Sequence, residues 1–335
     1  MHMATRHTHA LLRRRLTALP GVCLAIPTLL VGLLAGCATT GAPQQRPAQA
    51  VTTGGLQVQS VGWSRQRIHA LATALPTLQQ QYAVPSLAVS LVSEYGEGWS
   101  RTFTGPGSVS RPVSGFPADG LAMPLLASLT LAASESSPWG LRTPLGQIAP
   151  RHAEIQPYAE SRPVDLLTAP YSESPAQART ALAAALEAAT GNALNALLRG
   201  LVPSVTHSQL ERRAGDVRLT TTADDFGAYL QSLIQAGARD PATAALLAAH
   251  GTVDARRGLY QGLGWSLERQ PQGGVIAYQW SNAAGYHHLA LLDMHRRRGL
   301  VFLTQGQQGR SLIEAALPLI DETPHALLSR GGDGR

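Results

Sequence analysis

The amino-acid sequence predicts an α+β protein with one antiparallel sheet, helices on the face of that sheet and an inserted all-helical lobe. Three observations predict this class. Residues 67–103 carry a helical pattern followed by two strand patterns, residues 120–250 are dominated by Ala, Leu and helix-ending residues, and strand patterns return after Gly251. We therefore expect the strands at the two chain ends to join in a single sheet, with the helical block inserted between them.

The N-terminal part of the domain begins with a helix and a hairpin. Apolar side chains recur every three or four positions over residues 67–82, which is the period of one buried helix face, and Pro85 ends that region. Residues 87–92 then have a strand pattern, 95–98 a turn pattern and 99–103 the pattern of the returning strand. The apolar positions of the helix are Ile68, Leu71, Leu75 and Leu78.

The middle and the C-terminal parts change from helix to strand patterns. A helix is expected to start at Thr222, because its hydroxyl and the carboxylates of Asp224 and Asp225 can accept hydrogen bonds from the free N–H groups of a first turn. Gly237 is expected to stop that helix. Further strands are expected at residues 262–267, 274–280, 286–293 and 299–304, with a closing helix at 311–320.

The first 36 residues have the organisation of a secretory signal. Arginines at positions 13–15 precede an apolar stretch over residues 22–34, which is too short for a membrane span of about 20 residues. The stretch ends in Leu-Ala-Gly-Cys, which resembles the bacterial lipobox, in which the cysteine, here Cys37, is acylated and becomes the new N-terminus. The alternative is an ordinary cleaved signal, or an uncleaved anchor, with Cys37 incidental.

Acylation would hold a soluble domain on a membrane surface rather than through it. Ala38 follows the cysteine where lipoproteins retained in the inner membrane carry Asp, so the resemblance implies a lipid anchor in the bacterial outer membrane, facing the periplasm. Residues 37–60 are rich in Thr, Gly, Ala, Pro and Gln, which is typical of a flexible tether. The predicted organisation is a signal at 1–36, this tether, a domain at 61–325 and a disordered tail at 326–335.

Composition excludes several kinds of chemistry. Cys23 leaves with the predicted signal and Cys37 carries the lipid, so the folded domain has no thiol for a disulfide, a zinc–cysteine site or a cysteine nucleophile. All 27 basic residues are arginine, which stays protonated and cannot act as a general base. Without the four arginines of the signal, 23 basic and 21 acidic residues leave a net charge of +2, which gives no reason to expect a nucleic-acid partner.

Short segments of the domain follow one another in an order that is typical of a known superfamily. They are VPSLAV at 84–89, LRTP at 141–144, VDLLT at 164–168, EAATG at 187–191, TTTADD at 220–225 and GLGW at 262–265. Together they resemble the serine β-lactamase and penicillin-binding-protein superfamily, in particular the class C β-lactamase-related branch of esterases and D-alanyl-D-alanine peptidases. The resemblance implies a β-lactamase/transpeptidase-like fold.

The chemistry of that superfamily requires a serine nucleophile and, three residues later at the start of a helix, a lysine that takes the hydroxyl proton. Counted back from Pro144 without gaps, these positions are Gly120 and Met123, whereas a gapped register gives Ser128 with Leu131 in place of lysine. The chain contains no lysine to fill either register. We therefore expect this helix to be retained for packing, and we predict no catalytic residue.

The two other motifs that the resemblance implies are also altered. Tyr171-Ser172-Glu173 is the segment nearest to the superfamily's Tyr-x-Asn, and Gln279-Trp280-Ser281 takes the place of His-x-Gly. Gln279 can donate a hydrogen bond but carries no charge for an anionic substrate. The positions expected to line the remnant of the cleft are Gly120, Met123, Tyr171, Gln279, Trp280 and Ser281.

Other hydrolase and metal motifs are missing from the sequence. It contains neither Gly-x-Ser-x-Gly nor His-Glu-x-x-His. His287 and His288 are adjacent in a predicted strand, so they face opposite sides and cannot share a metal ion. No metal and no cofactor are therefore expected.

Three hypotheses about function follow from the sequence. The first is a membrane-anchored, catalytically inactive β-lactamase-like domain that binds a peptidoglycan peptide or another envelope protein in the cleft between its lobes. The second is a serine hydrolase with a rearranged nucleophile, in which Ser128 or Ser281 is activated by a histidine or by Tyr171. The third is a purely structural partner in an envelope assembly.

Overall fold

The two ends of the folded chain lie beside each other in one sheet, as the sequence predicts. The computed structural model describes residues 62–105, 115–169, 176–213, 215–271, 273–283 and 285–326. The predictions for the signal, the tether, Cys37, Tyr171 and the tail beyond residue 326 lie outside the described residues.

The helices and strands follow one another in three blocks: a helix and a hairpin, a mostly helical segment, and strands that end in a final helix. The helices are α1 Arg65–Gln81, α2 Ala122–Glu135, α3 Leu145–Ile148, α4 Pro163–Thr168, α5 Ala176–Thr190, α6 Leu194–Leu201, α7 Ala223–Ala236, α8 Pro241–Leu247 and α9 Gly309–Ile320, with 3₁₀ turns at Asp119–Leu121 and Ala153–Tyr158. The strands are β1 Ser86–Ser93, β2 Gly96–Thr104, β3 Phe116–Pro117, β4 Gln209–Arg213, β5 Asp216–Thr221, β6 Gly251–Asp254, β7 Leu259–Gln261, β8 Ser266–Arg269, β9 Val275–Ala283, β10 Tyr286–Asp293 and β11 Arg298–Gln305.

The large sheet is antiparallel and joins the N-terminal hairpin to the C-terminal strands. Its order is β2-β1-β11-β10-β9-β8-β7-β6, so that β1 lies against β11, the last strand of the chain. In this pair Ser86 is opposite Gln305 and Ser93 is opposite Arg298. The α+β class and the single sheet shared by both chain ends are therefore confirmed.

Both faces of this sheet are covered by helices. β1 directs Leu87, Val89 and Leu91 into a core shared with α1 and α9, and Ala88 and Val92 into the larger core on the opposite face, where α7 packs. A strand that is buried on both faces needs apolar or small residues at successive positions, which explains why β1 has Leu, Ala and Val at all buried positions except Ser86 and Ser90.

The inserted lobe contains a short sheet in addition to its helices. β3, β5 and β4 form a three-stranded antiparallel sheet in which β4 and β5 are a hairpin. Alternate residues of β5, namely Val217, Leu219 and Thr221, are buried, whereas Arg218 between them is exposed. This sheet connects the lobe to the entrance of α2, because β3 directly precedes the Asp119–Leu121 turn.

The strand predicted at residues 262–267 begins later in the structure. Gly262–Trp265 form a loop, and β8 starts only at Ser266. Gly264 has a φ of +69°, a left-handed conformation that favours glycine and interrupts an extended strand. The motif at 262–265 is therefore a loop that packs against α2 and is not part of the sheet.

The start of α2 is apolar on all sides and is completely enclosed. Every residue from Ala122 to Leu131 is buried, which is typical of a helix in the centre of a domain. Among the described residues, no single helix has both the length and the apolar composition to cross a membrane, although α5 and α6 would meet that test together as a pair bent by 76°.

Candidate functional site

The position expected for the nucleophile lies directly against strand β9. Gly120 is in the 3₁₀ turn that leads into α2, and its backbone N–H donates a hydrogen bond of 3.1 Å to the Ser281 hydroxyl oxygen. The Gln279 side-chain amide is 3.4 Å from the Gly120 carbonyl oxygen. All three residues are buried. The structure thus brings together three of the positions that the sequence singles out.

A serine side chain has no space at Gly120. A Cβ atom built on this residue would lie 2.7 Å from the Cα, Cβ and hydroxyl oxygen of Ser281, well inside van der Waals contact. The Gly120 N–H, which at this helix entrance could otherwise stabilise a developing oxyanion, is already bonded to the Ser281 hydroxyl. Ser281 therefore fills the space that a side chain at position 120 would need.

We expect a double-mutant cycle to detect this contact. Gly120→Ser alone should lower the free energy of unfolding by about 2 kcal/mol, because overpacking a filled site typically costs about 1–3 kcal/mol. Gly120→Ser combined with Ser281→Gly should regain part of that loss, since the second change removes two of the three atoms that the new Cβ meets, the Cβ and the hydroxyl oxygen of Ser281, and leaves the Cα. Urea unfolding of the wild type, both single variants and the double variant measures the coupling, and strictly additive effects would contradict the contact.

Met123, one helical turn further on, is in the core. Its side chain is 3% exposed, and its backbone carbonyl is covered by the Gly262–Trp265 loop. A Cβ atom on Gly264 would lie only 2.5 Å from that carbonyl oxygen. The position that would carry the lysine amine is thus enclosed by apolar packing.

The remaining two cleft positions do not join this cluster. Trp280 faces the opposite side of the sheet from Gln279 and Ser281, packs beside the α1–α9 core and lies under the Arg310 guanidinium, 5.0 Å from the ring centre. Tyr171 is outside the described residues. The cluster at the entrance of α2 therefore consists of Gly120, Gln279 and Ser281, and Met123 lies one helical turn further along α2.

Ser128, the nucleophile of the gapped register, has no base beside it among the residues that the structure describes. Its hydroxyl is 2.8 Å from the Tyr229 hydroxyl, which donates in turn to the Pro124 carbonyl oxygen at 2.9 Å. Burial raises the pKa of Tyr229 well above its usual value, although the hydrogen bond with Ser128 opposes the change. The phenol therefore remains protonated and cannot accept the serine proton.

Ser281 is directly opposite a histidine on strand β10, but that histidine is fully engaged. The Nε2 atom of His288 lies 2.8 Å from the Pro117 carbonyl oxygen, and its Nδ1 atom accepts the Thr304 N–H at 3.2 Å. These two partners fix the neutral tautomer with the proton on Nε2. Burial lowers the pKa of His288 to about 4. No ring nitrogen of His288 is left to take the proton of Ser281.

The neighbouring histidine belongs to the other side of the sheet. His287 bonds through Nδ1 to the Asn282 side-chain oxygen at 3.0 Å and lies near α9. Burial lowers its pKa, and the nearby Arg310 guanidinium adds to that effect. The opposite orientations of His287 and His288 agree with the prediction. Within the described part of the chain, no three His, Cys, Asp or Glu side chains are grouped in a way that could hold a metal ion.

An open groove lies immediately beside the filled cluster. It has a volume of about 440 Å³ and runs over the exposed face of the β3–β5–β4 sheet. Asp119, next to Gly120 in the chain, forms an ion pair of 2.7 Å with Arg218 and accepts the Leu219 N–H at 2.9 Å. The residues that line the groove are Pro117, Asp119, Gln209, Glu211, Arg213, Arg218 and Thr220.

Sequence reasoning did not identify Asp119, Arg218 or His288 as members of this region. Asp119 and Arg218 are 99 positions apart, and no local pattern links them. For His288 a signal existed, because it stands at an inward position of an apolar strand, where a polar side chain needs internal partners.

Comparisons with known proteins identify the fold. No protein-family model and no curated protein match the chain. The structure is similar to the D-alanine carboxypeptidase AmpC from Burkholderia cenocepacia, with a TM-score of 0.58 and 16% identity over 76% of this chain and 98% of that one. It is also similar to SurE solved with D-Leu, with a TM-score of 0.56 and 16% identity over 80% of this chain and 76% of that one. The chain therefore has the β-lactamase/transpeptidase fold that the sequence resemblance implies.

Proposed function

We propose that this protein is a lipid-anchored, catalytically inactive member of the β-lactamase-like serine hydrolases that binds a ligand or partner in the bacterial cell envelope. The observation that carries the proposal is the contact between Gly120 and Ser281, because it replaces the nucleophile with a buried packing interaction. The absence of lysine from the whole chain supports it, since acyl transfer of this kind lacks its base.

The two similar structures favour a particular class of ligand. One is a D-alanine carboxypeptidase, and the other was solved with a D-amino acid, D-Leu. We therefore propose a peptide that ends in a D-amino acid, as peptidoglycan peptides do, as the ligand. The groove over the small sheet is the proposed site, because it is next to the filled cluster and offers the Arg218 guanidinium to a terminal carboxylate.

Covalent probes test the inactive state. We expect the purified protein to form no adduct with a fluorophosphonate or a labelled penicillin at saturating concentration, because no base of the described part of the chain lies beside Ser128 or Ser281. An active penicillin-binding protein is the positive control. An adduct that disappears in Ser128→Ala or in Ser281→Ala would instead establish the hydrolase with a rearranged nucleophile.

Binding and acylation are tested separately. Calorimetric titration with a muropeptide that ends in D-alanine should give heat with the wild type and a weaker affinity with Arg218→Gln, with Arg151→Gln on the same lobe as the control. Failure to bind muropeptides, together with capture of an envelope protein, would contradict the peptide ligand.

Intact-mass measurement of membrane-extracted protein should show an acylated N-terminal Cys37, and a chain that begins at another residue would contradict the anchor.

A further inference from the structure

Several turns gather at one end of the large sheet, which we name the turn end. The register shows that they share this end, because Asp293 pairs with Arg298 on β11 and Ile276 on β9. Arg298 also pairs with Ser93 on β1, and Ile276 pairs with Glu268 on β8, which pairs with Leu259 on β7. The end of α7 is next to them, since Tyr95, Arg239 and Arg297 line one groove of about 710 Å³. The turn end consists of residues 94–95, 237–239, 255–258 and 294–297.

Arginine side chains project from the turn end. Four of them are exposed, namely Arg239, Arg256, Arg257 and Arg297. Tyr95 lies beside them and is 81% exposed, whereas the large apolar side chains of the described residues are generally buried or half-buried.

The carboxylates of this end lie further inside the molecule. The Glu94 side chain is 17% exposed and is paired with Arg297, and the Asp293 side chain is 4% exposed. Asp254 accepts the backbone N–H groups of Arg256 and Arg257. The outermost charged groups of these turns are therefore cationic.

The chain enters the folded domain at the same end. The Gly62 N–H donates to the Arg296 carbonyl oxygen at 3.2 Å, and the Trp63 indole N–H lies 3.0 Å from the Val92 carbonyl oxygen. The Arg298 guanidinium stacks on the Trp63 ring at 4.4 Å from its centre. Gly62 and Trp63, the first described residues, are thus held beside the exposed arginines.

We propose that the turn end is a membrane-contact surface for the phosphate groups of anionic phospholipids and orients the domain on the bilayer. The inference rests on the lipid anchor of the proposed function. Guanidinium groups bind phosphate through paired hydrogen bonds, and tyrosine is favoured at the boundary between membrane and water. If the predicted tether at 37–60 is a flexible coil, its mean span is on the order of 30 Å, which would keep the turn end close to the surface.

Hydrogen–deuterium exchange of the full-length protein on vesicles tests the proposal. Peptides that cover residues 255–258 and 294–297 should exchange more slowly on vesicles with phosphatidylglycerol than on phosphatidylcholine alone, and high salt should abolish the difference. Each arginine near an anionic surface contributes about fivefold to binding, so Arg239→Gln, Arg256→Gln and Arg257→Gln together should lower the docked-to-undocked ratio on the order of 100-fold. The control carries the same loss of charge on the inserted lobe, with Arg142→Gln, Arg151→Gln and Arg199→Gln.

The outcomes separate the surface from the anchor. Equal exchange on both kinds of vesicle, with the protein still bound to them, would overturn the surface and leave the anchor intact. Failure of the protein to float with phosphatidylcholine vesicles would contradict the anchor. In that case, salt-sensitive binding to phosphatidylglycerol vesicles that the triple variant loses would still support the membrane-contact surface. Absence of binding to phosphatidylglycerol vesicles would overturn the surface as well. Protection by peptidoglycan sacculi instead of vesicles would also overturn it.

Discussion

Replacing Gly264 with alanine should lower the free energy of unfolding by on the order of 4 kcal/mol. A left-handed backbone costs a non-glycine residue about 1–2 kcal/mol. The new Cβ would also lie 2.5 Å from the Met123 carbonyl oxygen and 3.1 Å from the Ala127 Cβ, both in the buried helix α2, and overpacking of this kind costs about 1–3 kcal/mol more. Such a loss is a large fraction of the stability of a typical domain.

Gly191→Ala is the matched control for this substitution. Gly191 has a φ of +70°, nearly the same as Gly264, but a Cβ there would meet no atom of the described residues within 4 Å. Its loss should therefore be limited to the conformational cost of about 1–2 kcal/mol. Urea unfolding of both variants measures the difference. Equal losses would show that the loop at 262–265 does not press on α2 as described.

The stability of the protein should decrease as the pH falls from 7 to 4, with His288 contributing up to about 3 kcal/mol. Burial lowers the pKa of His288 to about 4, whereas a histidine in the unfolded chain titrates near 6.5. Between these values the unfolded state binds more protons than the folded state, so the free energy of unfolding rises with pH in this window. At pH 7 the neutral ring fits its two partners without penalty.

His288→Gln should flatten this pH dependence. The glutamine amide can donate to the Pro117 carbonyl oxygen but takes up no proton in the window. Some stability will be lost at every pH from altered packing, so the comparison is the slope between pH 7 and 4. His69→Gln, at an exposed position of α1, should leave the slope unchanged. A His288→Gln variant with the slope of the wild type would contradict the assignment.

The sheet at the chain ends is predictable from sequence because its strands are buried on both faces. β1 and β11 have buried residues at seven successive positions, and runs of this kind remain visible whatever surrounds them. The β4–β5 hairpin was missed because strands of five and six residues in an Ala- and Leu-rich region carry a weak signal. The alternation of Val217 and Leu219 with polar neighbours was present, and Gly215 with a φ of +85° marks the turn.

Only some residues of the candidate site could be predicted from the sequence. Counting between motifs selects Gly120, Gln279 and Ser281, which lie in contact, because motif spacing follows the fold. Trp280 was included with them, although the alternation of a strand places it on the other face. The ion pair of Asp119 with Arg218 could not be predicted, since it depends on how two distant segments meet in space.

The contact between Gly120 and Ser281 has an evolutionary consequence. In the pattern that the sequence resembles, a serine is expected at 120 and a glycine at 281, whereas here the glycine is at 120 and the serine is at 281. A reversion at position 120 alone meets a collision, one at 281 alone opens a void, and a lysine at 123 alone buries an unpaired charge. A serine at 120 and a lysine at 123 would therefore be tolerated only together with further changes, and each of these three replacements made alone should be selected against for its effect on folding.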